Sequence, residues 1–134
     1  PFEERNISEE LYSISRDLFD NAHYAQATFE AFKYLDNLVQ NISKEPESGY
    51  KLMMKVFSEV KPVLKLNPLK TKSEIDEQLG FKMIFAGAMS GIRNPRGHDF
   101  NIKDDIDLCL DHMSFVSMLL RKIREAGYKK GSVT

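Results

Sequence analysis

Residues 71–98 read TKSEIDEQLGFKMIFAGAMSGIRNPRGH. Thr71-Lys72-Ser73-Glu74 has the form of a capping box, in which the threonine hydroxyl accepts from the backbone three residues on and the glutamate reaches back. It predicts a helix running to about Ile92. The last two-thirds of that helix is apolar or small on every side, from Phe81 and Met83 through Phe85, Ala86 and Ala88 to Gly91 and Ile92. A helix that is apolar all round is buried on more than one side. Gly80, Gly87 and Gly91 are seven and four residues apart and so share one stripe. Each glycine weakens a helix by about 1 kcal/mol relative to alanine. A stripe that carries this cost lets another backbone come close, either that of a second subunit or that of a helix in the same chain.

Working outward, the rest of the chain also reads as helix, with no convincing strand. Asn6-Ile7-Ser8-Glu9 resembles a second capping box, and Leu11, Ile14, Leu18 and Phe19 follow at helical spacing. Asp20-Asn21 is the expected break, since Asn tolerates the left-handed conformation that ends helices. A long helix is expected from about Ala22 to Ile42, then a loop over 44–49, a short helix from Tyr50 to Phe57 and an irregular excursion over 58–72 that holds Pro62 and Pro68. Asn101-Ile102-Lys103-Asp104 is a weaker cap for a last helix to Ala126, stopped at Gly127. The expectation is an all-α protein, a compact bundle of about four to five helices in a single domain over residues 1–134.

A chain of 134 residues with 42% hydrophobic and 29% charged residues can bury a core without staples. The single cysteine, Cys109, excludes an intramolecular disulfide framework and a cysteine-based zinc site, and no metal or other cofactor is expected. A lone thiol fits a reducing compartment, so a cytoplasmic location is expected. No apolar run approaches the roughly 18 residues that span a bilayer, and the first ten residues, PFEERNISEE, are too polar for a signal peptide. The chain starts at Pro1, so either a methionine has been removed or the sequence belongs to a longer protein.

The net charge of −1 gives no global signature of a nucleic-acid binder. Its distribution is uneven. Residues 1–50 carry ten acids and four bases, whereas residues 51–72 carry six lysines and only Glu59 as an acid. Lysines of this stretch, Lys61 and Lys65 among them, are either a solvated face or a phosphate-binding patch.

Chemistry concentrates just after the buried helix, in Arg93-Asn94-Pro95-Arg96-Gly97-His98. Residues five apart on a continuous helix point about 140° away from each other. Arg93 and His98 therefore converge only if the helix breaks between them. Pro95 biases Asn94 away from the helical region and Gly97 permits a turn, which predicts a corner with arginine on one side and histidine on the other. Arginine is a permanently charged fork for phosphate oxygens, and histidine changes charge near neutrality. Such a pair is able to cleave RNA without a metal: His98 handles the 2′-hydroxyl or 5′-oxygen proton, and Arg93 stabilises the charge on five-coordinate phosphorus. One histidine does not serve as base and acid in a single in-line step, and a two-fold dimer supplies the second. Spacing alone equally fits an arginine capping its helix and a histidine packed in the corner.

Arg93-Asn94-x3-His98 between two long helices of an all-α domain resembles the signature of the HEPN superfamily (higher eukaryotes and prokaryotes nucleotide-binding), and the wider text resembles its bacterial Ymh-type branch. The stretches that carry this are His23–Ala27, Phe29–Leu35, Leu52-Met53, Gly80-Phe81 and, most specifically, Phe85–His98; together the resemblance covers residues 20–122. It implies a helical bundle that dimerises with its motifs facing across the interface. In many members it implies a metal-independent endoribonuclease of toxin–antitoxin or anti-phage defence, with an antitoxin or a further effector domain as partner. The family's catalytic residues fall on Arg93, Asn94 and His98. Glu30, a charge on the apolar second helix, stands where members carry a polar residue that orients the arginine, or else is a surface carboxylate; Arg96 contacts RNA phosphate or is a solvated cation. The alternative function is a non-catalytic nucleotide- or RNA-binding or dimerisation module.

Overall fold

A computed structural model describes residues 2–99 and 101–129 of the chain, and within them every regular element is helical. After a short 3-10 turn at Phe2–Arg5 come α1 (Glu10–Asp20), α2 (Tyr24–Ser43), α3 (Gly49–Val56), α4 (Lys72–Ala88), α5 (Asn94–His98) and α6 (Ile106–Glu125). A π turn at Met89–Arg93 joins α4 to α5, so these two form one continuous rod and the bundle has five rods. The all-α expectation is met.

Helix α2 is the centre. Ala27, Ala31, Phe32, Leu35, Val39 and Ile42 are fully buried along its length, and α1, α6, the π turn and α3 all pack on it. From α6 come Met113, Val116, Leu120 and Ile123, and from α3 and α4 come Leu52, Val56 and Phe85. Phe57 and Phe85 stack with ring centroids 4.3 Å apart, which fixes the irregular segment to α4.

The helix ends follow local chemistry. At the start of α4 the capping box is formed: Thr71 Oγ1 accepts from the Glu74 backbone N–H, and Glu74 Oε1 accepts from that of Thr71. The box expected at Asn6–Glu9 is not formed. Asn6 has φ +52°, and Ser8 is turned inward, its N–H donating to Ser117 Oγ and its hydroxyl to Glu10. A tertiary contact to α6 thus fixes a residue inside the expected box. Helix α6 is capped not by Asn101 but four residues later by Asp105, whose carboxylate accepts from the Leu108 N–H. At the end of α1 the left-handed residue is Ala22 (φ +62°), not Asn21, and the His23 N–H reaches back to Leu18 and the Ala22 N–H to Phe19. Gly127 (φ +96°) closes α6 with the same pattern, as expected.

The excursion between α3 and α4 is irregular but tied down. Gln78, fully buried on α4, donates to the carbonyls of Phe57 and Leu64 and accepts from the Leu66 N–H at 2.9–3.1 Å. One side chain thus supplies the partners that a strand or helix supplies elsewhere. Among the described residues, no helix is long and apolar enough to cross a membrane.

Candidate functional site

The rod does not break at Pro95. Asn94 is helical (φ −62°, ψ −47°), and its N–H bonds to the Met89 carbonyl five residues back. Proline has no N–H to give and its ring crowds the preceding turn; widening that turn to π geometry makes the room. The helix then runs to His98 and ends at Asp99, which is extended. The corner expected between Arg93 and His98 is therefore replaced by a widened turn just before it. Gly97 is helical and serves a different purpose: a Cβ there would lie 2.5 Å from the Phe29 ring, so its absence lets α2 pack closely.

Continuity has a geometric consequence. Arg93 and His98, five residues apart on α-helical backbone, project about 140° apart around the rod. Arg93 lies on the inner side. Its Nη1 donates to Asp36 Oδ2 at 2.8 Å, while Nε and Nη2 donate to Asn94 Oδ1 at 3.0 and 2.8 Å. The other oxygen of Asp36 accepts from the Gly49 N–H at 2.8 Å, which pins the start of α3 to the same carboxylate. Gly49 has φ +67°, and a Cβ there would stand 2.7 Å from Arg93 Nη2. Asp36, Asn94 and Gly49 therefore form a socket for the guanidinium. Asp36 is 4% exposed and the arginine side chain 19%, so the site sits at the edge of the core with solvent access. Three of the five guanidinium N–H groups are used in these bonds, one on each nitrogen; two terminal hydrogens are left to donate.

His98 is exposed at the end of the rod. It lies seven residues after Gly91, beyond the π turn. Among the described residues the glycine side of the rod is unpartnered. Leu79, Met83 and Ile84 are exposed on it, Met83 by 56%, and a Cβ added at Gly80, Gly87 or Gly91 would meet nothing within 4 Å. The glycines thus do not admit a helix of the same chain.

The remaining expected residues are placed as follows. Arg96 is not a solvated cation: it makes a bidentate pair with Asp104 at 2.7 and 2.8 Å, 11% and 3% exposed, and its Nη1 covers the Ile92 carbonyl. Glu30 is half-buried and makes no hydrogen bond or ion pair among the described residues, so Arg93 is oriented by Asp36 and Asn94 instead. Lys61 and Lys65 are exposed on the irregular segment, with no hydrogen bond or ion pair to Arg93 or His98.

Behind Arg96 lies a buried polar cluster. Thr28 Oγ1 is 3.4 Å from His112 Nδ1 and donates to Cys109 Sγ, while His112 Nδ1 is 4.0 Å from Asp104. Burial pushes the Cys109 thiol up to about 11, so it is an inert core group at neutral pH. Burial, and then the nearby Arg96, lower the pKa of His112 below its usual value. Beside Arg96 a cleft of about 590 Å³ opens between the start of α2 and the loop that precedes α6. Among the described residues no three His, Cys, Asp or Glu side chains come together as a metal site would require.

Asp36 and Gly49 are the site residues that the sequence reading missed. Asp36 had a signal: it follows Phe32 by four and precedes Val39 by three, which puts a carboxylate on the buried stripe of α2, where it needs a partner. Comparison with curated proteins and with solved structures yields no match. A family model does match, over residues 5–123, and by it the chain belongs to the Hypoth_Ymh family, described as proteins of unknown function.

Proposed function

We propose that this chain is a metal-independent endoribonuclease of HEPN type that acts as a homodimer. His98 of one protomer takes the proton of a ribose 2′-hydroxyl, and the partner's His98 delivers one to the departing 5′-oxygen. The oxygen attacks phosphorus, the P–O5′ bond breaks, and a 2′,3′-cyclic phosphate and a 5′-hydroxyl result. Arg93 donates its two remaining N–H groups to the non-bridging oxygens as negative charge builds on them.

The observation that carries this reading is the socket. A buried carboxylate, a neighbouring amide and a glycine without space for a side chain hold one arginine at the edge of the core. Only one carboxylate oxygen faces it, in contrast to the fork-to-fork pair of Arg96 with Asp104, so its charge is less fully matched. The exposed side of the rod supports the dimer, because it is apolar and carries open glycines, and the rod ends in the exposed His98. A second copy seated there brings two imidazoles together, which one chain does not do. Lys61 and Lys65, exposed on the surface, serve to attract RNA at a distance. A role in toxin–antitoxin or anti-phage systems, with an antitoxin or effector domain as partner, is part of the same proposal and rests on the HEPN resemblance.

The test is incubation of purified protein with RNA in EDTA. Products ending in 2′,3′-cyclic phosphate are expected, lost in His98→Ala and in Arg93→Ala. Cleavage that persists unchanged in both variants removes the mechanism. Salt-sensitive RNA binding with no product assigns the chain instead to the non-catalytic binding modules.

A further inference from the structure

We infer that the cleft lined by the start of α2 on one side and by Asp99 and Ile102–Asp104 on the other receives the heterocyclic base of the nucleotide next to the scissile phosphate. The inference rests on the ribonuclease reading for which nucleotide that is, and on the cleft itself for the kind of group it takes.

Position comes first. Arg96 and Asp99, on either side of His98 in sequence, both line the cleft. So does Phe29, whose ring lies against Gly97. Of these, Asp99 gives the position: it directly follows His98 beyond the end of the helix, so the His98 backbone borders the cleft, and a phosphodiester held at His98 has its neighbouring sugar and base within reach of the cleft mouth. The volume of about 590 Å³ falls in the roughly 300–1,000 Å³ range of small-molecule pockets.

Charge and shape then select the group. The charged residues of the lining are Arg96, Lys103, Asp99 and Asp104, two of each sign, and Arg96 and Asp104 are already paired with each other. A balanced lining offers no net attraction to a phosphate and suits a neutral ring. Tyr24, Phe29 and Ile102 supply flat or apolar wall, which favours a planar heterocycle. Gln26 and His23 at the rim each present donors and acceptors for the polar edge of a base. The walls are preformed: Tyr24 is held edge-on by Phe19 with centroids 5.5 Å apart, and the Arg96–Asp104 pair fixes the loop against the rod.

Titration of ¹⁵N-labelled wild-type protein with the four nucleoside 3′-monophosphates, and separately with ribose 5-phosphate, tests this. These compounds contain no bond for the enzyme to cut. Saturable shifts of the amides of Ala22–Gln26 and Ile102–Asp104 are expected with the nucleotides and not with ribose 5-phosphate. A trinucleotide with a central 2′-deoxyribose should shift the same amides and compete with the mononucleotides. Ala25→Trp, which fills the cleft, and Gln26→Ala should each weaken nucleotide binding about tenfold, the size expected for one lost stacking or polar contact. Equal shifts with ribose 5-phosphate, nucleotide shifts confined to other residues, or mononucleotide binding with which the trinucleotide does not compete each overturn the inference. Cleavage in EDTA with silent cleft amides leaves the nuclease reading standing and removes the base site. Shifted cleft amides in a protein that cuts no RNA do the reverse.

Discussion

Asp36 and Arg93, 57 positions apart in sequence, are joined by a 2.8 Å hydrogen bond between Oδ2 and Nη1 that ties the π turn to the central helix. The same carboxylate holds the Gly49 N–H, so three elements meet on one acid. Removing it leaves a guanidinium at the edge of the core and an amide without an acceptor. Asp36→Ala is expected to destabilise the protein by about 2–3 kcal/mol, less than the roughly 3–5 kcal/mol of a fully buried pair because Arg93 retains some contact with solvent. Asp36→Asn keeps an acceptor for Gly49 and should cost less, while still lowering cleavage because the guanidinium loses its anchor. Urea denaturation of both variants, alone and combined with Arg93→Met, gives the coupling directly. A coupling near zero shows that the two side chains do not depend on each other.

Gly49 is constrained twice over, by φ +67° and by the 2.7 Å between a built Cβ and Arg93 Nη2. The first costs an L-residue about 1–2 kcal/mol. The second is relieved only if Arg93 moves. Gly49→Ala should therefore be destabilised by more than the backbone term alone, and adding Arg93→Ala should recover the steric part. Thermal melts of the two single variants and the double variant check this. Strictly additive losses mean that the methyl group and the guanidinium do not meet.

The helices were legible in the sequence because apolar spacing and turn residues act locally. The Thr71 box and the Gly127 stop needed no tertiary information. The Asn6 box failed because a contact with Ser117, 109 residues from Ser8, overrode it. At the site, Arg93, Asn94 and His98 were visible as residue types, but not the geometry around them. Proline was expected to break the helix, and a one-turn change to π hydrogen bonding absorbed it instead. Asp36 became visible as Arg93's partner only once α2 lay beside the π turn. Arg96 and Asp104 look like free charges in sequence, and only folding brings them within 2.8 Å.

Gln78 is the polar residue whose loss should be felt most in the core. Its side chain satisfies two carbonyls and one N–H of the irregular segment, all in a buried environment. Gln78→Leu nearly conserves volume and leaves those three groups unpaired, at about 1–3 kcal/mol for each that water does not reach. A total loss of about 2–4 kcal/mol is expected once the segment relaxes. Hydrogen exchange should accelerate at Leu66 before it does in α2. Protection unchanged at Leu66 in the variant contradicts this assignment.

Stability should fall on mild acidification because of His112. Its folded pKa lies below the usual 6.5, through burial first and Arg96 next, with Asp104 and Asp111 acting in the opposite direction. Between the folded value and 6.5 the unfolded chain binds more protons than the folded one, so stability rises with pH across that window. Lowering pH from 7 through 6.5 therefore costs stability until the folded pKa is passed. Glu59, held down chiefly by Lys82, and Glu77, held down chiefly by Asn67, act in a separate window: their contribution is lost only as pH falls through folded values below 4.5. The slope of the melting temperature from pH 7 to 5 should be shallower in His112→Gln than in wild type. Equal slopes assign the acid sensitivity to other groups.

The exposed side of the α4 rod separates two effects that usually coincide. A Cβ at Gly87 meets nothing within 4 Å, and the residue is in mid-helix. In an isolated chain Gly87→Ala should thus stabilise by up to about 1 kcal/mol through helix propensity. If a second copy rests its backbone on this stripe, the added methyl group pushes it away. The substitution then weakens association while strengthening the protomer. Met83→Glu, placed on a residue 56% exposed, should leave the fold of the single chain intact and put like charges opposite each other across a two-fold axis. Analytical ultracentrifugation should show both variants shifted toward monomer, with RNA cleavage falling in proportion to the dimer that remains. Cleavage that survives in a strictly monomeric Met83→Glu protein requires Arg93 and His98 of one chain to act across the 140° that separates them, and the mechanism with one histidine from each protomer would then have to be given up.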